Sequence, residues 1–445
     1  MRDIFILAVV LGSAPICLFR PYLGILMWTL ISYLSPHRFT WGVAYHFPVA
    51  EVIAVPTLVG LVFTRKMNRQ VMMRETLLAL LLWIWFGVTL LYASHQPLFA
   101  AHIAEGTTQL VRVSKILLMT VATVLLVTSK KELKYLYLVT SFSFGLLAIK
   151  GALFGMRTGG ESRVWGPPDT FIADNNDMAL ALNMSLPIFF FLAQEEENRL
   201  LRILLRIMFV CGIFCVILTY SRGGLLGLGV VLTMLAIKSH RKLIAGSLLT
   251  ICVLLVLSFA PAKWMTRMQA LVSGQLDSSA MVRIGVWKFG LSIARAYPIT
   301  GGGLGTYEDP ELFERLSPEP LPGGHLYTGP HSIYFQVLGE QGYVGLALFL
   351  LLLASCIFSL RGLRRRARGL PAYSWMINYS HMLEVSLVAY MVSGAFLGRA
   401  YFDFFYLIIA CVAVSKIIYK RDVALAAWER EASPAVTPEE ELVGP

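Results

Sequence analysis

A single histidine, His331, stands where the chain leaves a long polar loop and begins a strongly apolar run, in Gly329-Pro330-His331-Ser332-Ile333. Placed there, an imidazole can meet both water-borne and membrane-borne groups. Pro330 restricts the backbone just ahead of it. Gln336 and Glu340 follow inside the apolar run, and ionisable side chains within a span are costly enough to be functional candidates by default. Positive charge nearby lowers a histidine's pKa, which leaves a neutral ring able to accept a proton at ambient pH. The alternative is a capping or otherwise satisfied interfacial histidine.

Two arginines could supply that positive charge. Arg222 lies in Tyr220-Ser221-Arg222-Gly223-Gly224, a tight reversal between two apolar stretches. Glycines there let backbone N–H groups approach a ligand closely. The N-terminal end of the next helix favours anions, and a planar guanidinium suits a phosphate. The blander reading is an arginine that snorkels to the interface beside glycines that merely turn the chain. Arg283 sits in Val282-Arg283-Ile284-Gly285-Val286-Trp287, where a lone arginine otherwise marks a solvated helix face. Two arginines and a histidine suit a pyrophosphate-linked substrate arriving from the membrane. The guanidinium groups would neutralise the leaving phosphate, and the imidazole would deprotonate an incoming hydroxyl.

Other polar clusters carry less. Asp174 and Asp177 in Ala173-Asp174-Asn175-Asn176-Asp177 could hold a divalent metal, but a helix N-cap is the preferred use of such residues, and no metal or cofactor is expected. Asp403, beside Arg399 and Tyr401, reads as a local ion pair. His95 and His102 have no ligand-like partner in sequence, and His325 lies in a Gly/Pro-rich loop.

The elements that must position these residues are membrane helices. The 445-residue chain is 57% hydrophobic and only 15% charged, against about a quarter charged in soluble domains. Its mean hydropathy is +0.67. Apolar runs, most of them long enough to span a bilayer at about 17 residues or more, recur near 3–19, 21–34, 48–64, 75–94, 113–128, 133–155, 176–193, 201–220, 223–238, 242–260, 332–360, 379–398 and 401–419. The expectation is an all-α polytopic helical bundle of about 12–14 spans with one large external loop, 261–331, that contains short helices. The opening segment Asp3 to Phe19 reads as a retained anchor, because the next apolar run begins at Pro21.

The net charge of +11 does not imply nucleic acid. The basic residues gather in short runs between apolar segments: Arg65 to Arg74, Lys130 to Lys134, Arg199 to Arg206, Lys238 to Lys242, Arg361 to Arg368, and Lys416 to Arg421. That is the positive-inside pattern, and it places these runs and the C-terminus in the cytoplasm. The six cysteines all lie in apolar segments, so no disulfide framework or zinc spacing is available. Within the external loop, Met281 to Ala296 shows helical periodicity, and Ile299-Thr300-Gly301-Gly302-Gly303-Leu304-Gly305 reads as a flexible turn. Residues 261–300 carry five positive charges and one negative, and residues 301–325 one positive and five negative. The expected divisions are an N-terminal transmembrane region, 1–170, a core at 171–360, a transmembrane hairpin at 361–420, and a disordered tail at 421–445.

Over about residues 170–360 the chain resembles the O-antigen ligase and polymerase superfamily of GT-C-type membrane glycosyltransferases. The resemblance rests on Ser221-Arg222-Gly223-Gly224, on Arg283 with Trp287, on Tyr297-Pro298 followed by 299–305, and on His331 with Gln336, Gly339-Glu340, Gly342 and Gly345-Leu346. Met1-Arg2-Asp3, residues 35–42 and residues 173–177 look more narrowly like the O-glycosylation ligase branch associated with exosortase A and exopolysaccharide loci. The resemblance implies transfer of a glycan from undecaprenyl pyrophosphate to a protein, lipid or polysaccharide hydroxyl on the periplasmic side of the bacterial inner membrane, without metal or cofactor. It assigns pyrophosphate binding to Arg222 and Arg283 and activation of the acceptor to His331. Arg163, Asn176, Ser221 and Glu340 follow as lesser substrate contacts. Ser332 departs from the asparagine common after this histidine. A repeat-unit polymerase of the same superfamily and a lipid-linked glycan transporter are the alternatives. The polar candidates lie at one face, whereas transporters bind substrate near the bilayer midplane.

Overall fold

A computed structural model describes residues 1–238, 278–321 and 328–432. The expected span 242–260, the first part of the external loop and His325 lie outside the described residues. The rest is all-α, with no strand among the described residues. The helices are α1 (Arg2–Phe19), α2 (Pro21–Leu34), α3 (Val49–Phe63), α4 (Arg74–Ser94), α5 (Ile103–Leu126), α6 (Lys130–Arg157), α7 (Asn175–Glu195), α8 (Arg199–Leu218) and α9 (Arg222–Lys238). They continue with α10 (Ser278–Ala296), α11 (Pro310–Leu316), α12 (Ile333–Ala367), α13 (Ser374–Gly394) and α14 (Asp403–Ala432). Among the described residues, seven helical segments are long and apolar enough to cross a membrane. α14 runs on to Ala432, past the point where the sequence suggests a disordered tail.

α7 is the central helix: 89% of its most apolar window is buried, against 11% for α1, which leaves most of its surface to lipid. α7 packs against α8, α9 and α13. Close approach there depends on small residues. A Cβ on Gly224 of α9 would meet the Ala179 Cβ at 2.6 Å, and Asn183 donates to the Gly224 carbonyl at 2.8 Å. The glycines of the 220–224 turn therefore serve helix packing, and the Gly224 N–H is already taken by Ser221 Oγ at 3.0 Å.

The two ends of the bundle differ in charge. At one end the basic runs meet buried carboxylates. Glu384 accepts from Lys238 at 2.7 Å and Arg361 at 3.1 Å, and pairs with Arg364 at 2.8 Å. Glu75 accepts from Lys416 at 2.7 Å and from Ser355 and Ser359 at 3.0 and 2.5 Å. At the other end stands the external loop. Its described part shares a small core with the segment between α4 and α5: Phe289 of α10 stacks on Phe313 of α11 with ring centroids 4.0 Å apart, and Val286 and Ile293 are buried alongside Phe99 of that segment.

α12 is broken at Gly342, whose φ of 67° and ψ of −170° are non-helical. The break frees backbone groups that an intact helix would pair internally. The 298–303 turn pairs them instead: Tyr343 N–H donates to Pro298 O at 2.8 Å, and the Gly339 and Glu340 carbonyls accept from Gly302 and Gly303, each at 2.9 Å. Gly301, Gly303 and Gly305 adopt positive φ and are buried. This segment is thus a fixed wedge rather than the flexible turn its composition suggests. His102, just before α5, completes the wedge. Its ring is 2.9 Å from Asp309 Oδ2 and 3.0 Å from Gly302 O, so the partner missing from the local sequence comes from the external loop.

Candidate active site at the loop-bearing end

His331 lies just ahead of α12 with φ 46°, a left-handed conformation that costs a non-glycine residue about 1–3 kcal/mol and concentrates at functional sites. Its neighbours over-determine it. Trp287 of α10 donates its indole N–H to the Pro330 carbonyl at 3.2 Å and stacks on Phe335, with centroids 5.2 Å apart and planes 6° from parallel. Gly398, between α13 and α14, leaves the space into which Pro330 fits: a Cβ there would meet the proline ring at 2.7 Å. Ser332 is buried and its side chain caps nothing, although its carbonyl accepts from Gln336 N–H at 2.8 Å.

Arg283 stands one helical turn before Trp287 and acts on His331 electrostatically. Burial pushes the imidazole below its ordinary pKa, Arg283 pushes it further in the same direction, and Asp174 opposes both. The ring is therefore neutral at ambient pH and able to accept a proton. Thr328 Oγ1 lies 3.4 Å from Nε2.

Arg222 opens α9 after Tyr220, which also holds a positive φ, 56°. The turn reaches the His331 group through Gly223, where a Cβ would meet Phe396 at 3.1 Å. The Phe396 ring lies 6.5 Å from Trp287. Ser221 is buried and N-caps α9. At the start of α7, Asp174 accepts from the backbone N–H and the side-chain amide of Asn176, each at 2.8 Å, and Asn175 donates to the Thr219 carbonyl at 2.8 Å. That contact ties α7 to the arginine turn.

Arg399 corrects the expected local pair with Asp403. Its guanidinium turns to Asp177, with Nε donating to Oδ1 at 2.8 Å and a second nitrogen donating to Oδ2. Asp403 accepts the Phe404 N–H at 2.7 Å at the start of α14. Sequence reading missed this clasp because its partners are 222 positions apart.

Two expected substrate contacts lie elsewhere. Glu340 is nine residues beyond His331, about 13 Å along a helix. It is 2% exposed and accepts from Tyr401 at 2.5 Å. Gln336 likewise accepts from the Ala400 N–H at 3.0 Å. Both precede the Gly342 break and face protein, so the expected lipid-facing cost does not arise. Arg163 lines a cavity that includes none of Arg222, Arg283 and His331.

Residues 207–350 match the O-antigen ligase family, and residues 1–197 match a family of unknown function (DUF5935). No curated protein matches the chain. The O-antigen ligase match contains Arg222, Arg283, Trp287 and His331 and makes the chain similar to membrane glycosyltransferases of the ligase and polymerase type.

Proposed function

We propose that the chain is a ligase-type membrane glycosyltransferase that moves a glycan from undecaprenyl pyrophosphate to an acceptor hydroxyl at the periplasmic face of the inner membrane. The observation that carries this reading is His331: half-buried, held in a left-handed backbone conformation, and kept neutral with the help of Arg283. In the reaction, the acceptor hydroxyl gives its proton to His331 as its oxygen bonds to the anomeric carbon. The bond from that carbon to the pyrophosphate oxygen breaks, and the anomeric centre inverts. Arg222 and Arg283 take up the negative charge that grows on the departing pyrophosphate. Asp174, held at the start of α7, limits how far burial and Arg283 depress the imidazole.

The basic runs gather at the opposite end of the bundle from His331, and the positive-inside bias supports a periplasmic site and a cytoplasmic C-terminus. Protein O-glycosylation and attachment of a surface polysaccharide are the two uses this chemistry suits. The test compares cells carrying wild type or His331→Ala at equal expression and resolves lipid-linked glycan by membrane side. Complete glycan accumulating on the periplasmic side supports the ligase. Single repeat units there would point to a polymerase, and accumulation on the cytoplasmic side to a transporter. An unchanged pool would overturn the reading.

A further inference from the structure

We propose that the N-terminal region carries a separate anionic-lipid site: the cavity between α6 and the 158–174 loop holds a phosphate headgroup between Lys150 and Arg163. The cavity measures about 280 Å³, and its lining includes both cations, the aromatic side chains of Phe39, Phe154 and Trp165, and no acidic residue.

The charges argue for an anion. Among the described residues neither Lys150 nor Arg163 has a carboxylate within 4.0 Å. The Lys150 amine instead lies 3.8 Å from the centre of the Phe39 ring. An aromatic face attracts a cation but does not neutralise it. Lys150 is seven residues short of the last residue of α6, about 10 Å along the helix. The helix has 28 residues, more than the about 20 that cross a hydrocarbon core, which sets the exposed Lys150 near the headgroup level, where a phosphate can pair with it.

The surroundings argue for a lipid rather than a free ion. Leu146, Leu153 and Phe154 present exposed apolar surface along α6, next to the lining residue Leu147, and an acyl chain can lie there. Trp165 is 56% exposed at the rim, the position that indole side chains favour at a membrane interface. The cavity is built entirely within residues 39–178, inside the segment that matches the family of unknown function.

Native mass spectrometry of the detergent-purified full chain tests this with phosphatidylglycerol, phosphatidylcholine and inorganic phosphate as probes. The expected result is preferential retention of phosphatidylglycerol, weakened at least about tenfold in Lys150→Gln/Arg163→Gln. Retention should persist in the charge-preserving Lys150→Arg and Arg163→Lys variants and in His331→Ala, so failure of this site and failure of the catalytic reading are told apart. Equal retention by the double glutamine variant would overturn the proposal. So would equal retention of phosphatidylcholine, or displacement of the lipid by an equal concentration of inorganic phosphate.

Discussion

Arg399 clasps Asp177 through two parallel hydrogen bonds, and in doing so ties the segment against which Pro330 packs to the first turn of the most buried helix. Asp177 is 2% exposed at its side chain and Arg399 34%. Removing either partner of a fully buried pair costs about 3–5 kcal/mol. Because Arg399 keeps contact with water, Arg399→Met should cost less, on the order of 2 kcal/mol. Thermal unfolding of the purified protein measures it. Asp177→Asn combined with Arg399→Met should be less destabilised than the sum of the single variants.

His331→Ala should reduce glycan transfer by about 10²–10⁴-fold, the usual contribution of a general base, while membrane insertion is unchanged. Transfer assayed with purified donor and acceptor checks the magnitude.

The pH dependence follows from the neighbours of His331. Burial and Arg283 lower its pKa, and in the proposed reaction the neutral ring is the active form. Activity should therefore fall only when pH drops below the ordinary histidine value of about 6.5. Arg283→Met removes one of the lowering influences, so the acid limb of the rate profile should move to higher pH. An acid limb that stays in place would show that Arg283 does not act on this ring.

Gly342 occupies a region of backbone space essentially reserved for glycine. Gly342→Ala adds a Cβ where the backbone of Ile299 and Pro298 already packs, within 2.8 Å of the Pro298 carbonyl oxygen. The expected loss is at least about 1–3 kcal/mol, read as a lower melting temperature together with faster proteolysis of the external loop.

His102→Ala removes the ring that lies between the buried Asp309 carboxylate and the Gly302 carbonyl and leaves at least one of these acceptors short of a partner, a cost of about 1–3 kcal/mol for an unsatisfied group. Limited proteolysis between Gly301 and Leu316 should accelerate.

The spans were legible in the sequence because bilayer thickness imposes a length and a hydropathy that local composition reports. The described helices from α1 to α9 fall where apolar runs predicted them, although α5 begins at Ile103, ten residues before the apolar run at 113. Its first turns are polar and stand against the external loop. The grouping of His331 with Arg283 was suggested by residue type and by resemblance, not by any spacing. What escaped was pairing at long range. His102 and Asp309 are 207 positions apart, and no local pattern links them. Glu340 misled for a related reason. It lies in an apolar run, yet Gly342 ends that helical segment just beyond it, and the glycine's role shows only once the 298–303 wedge is docked.

The carboxylate of Glu384 gathers Lys238, Arg361 and Arg364, members of the basic runs on which the proposed orientation rests. The topogenic signal acts on a nascent chain in which these cations are still unmatched. Once α9, α12 and α13 have come together, the one negative charge of Glu384 offsets part of that positive charge, while Arg361 stays 52% exposed. At this one cluster the folded protein therefore shows its surroundings less positive charge than its sequence advertises. Orientation and surface charge, read from the same residues, belong to two different moments in the life of the molecule.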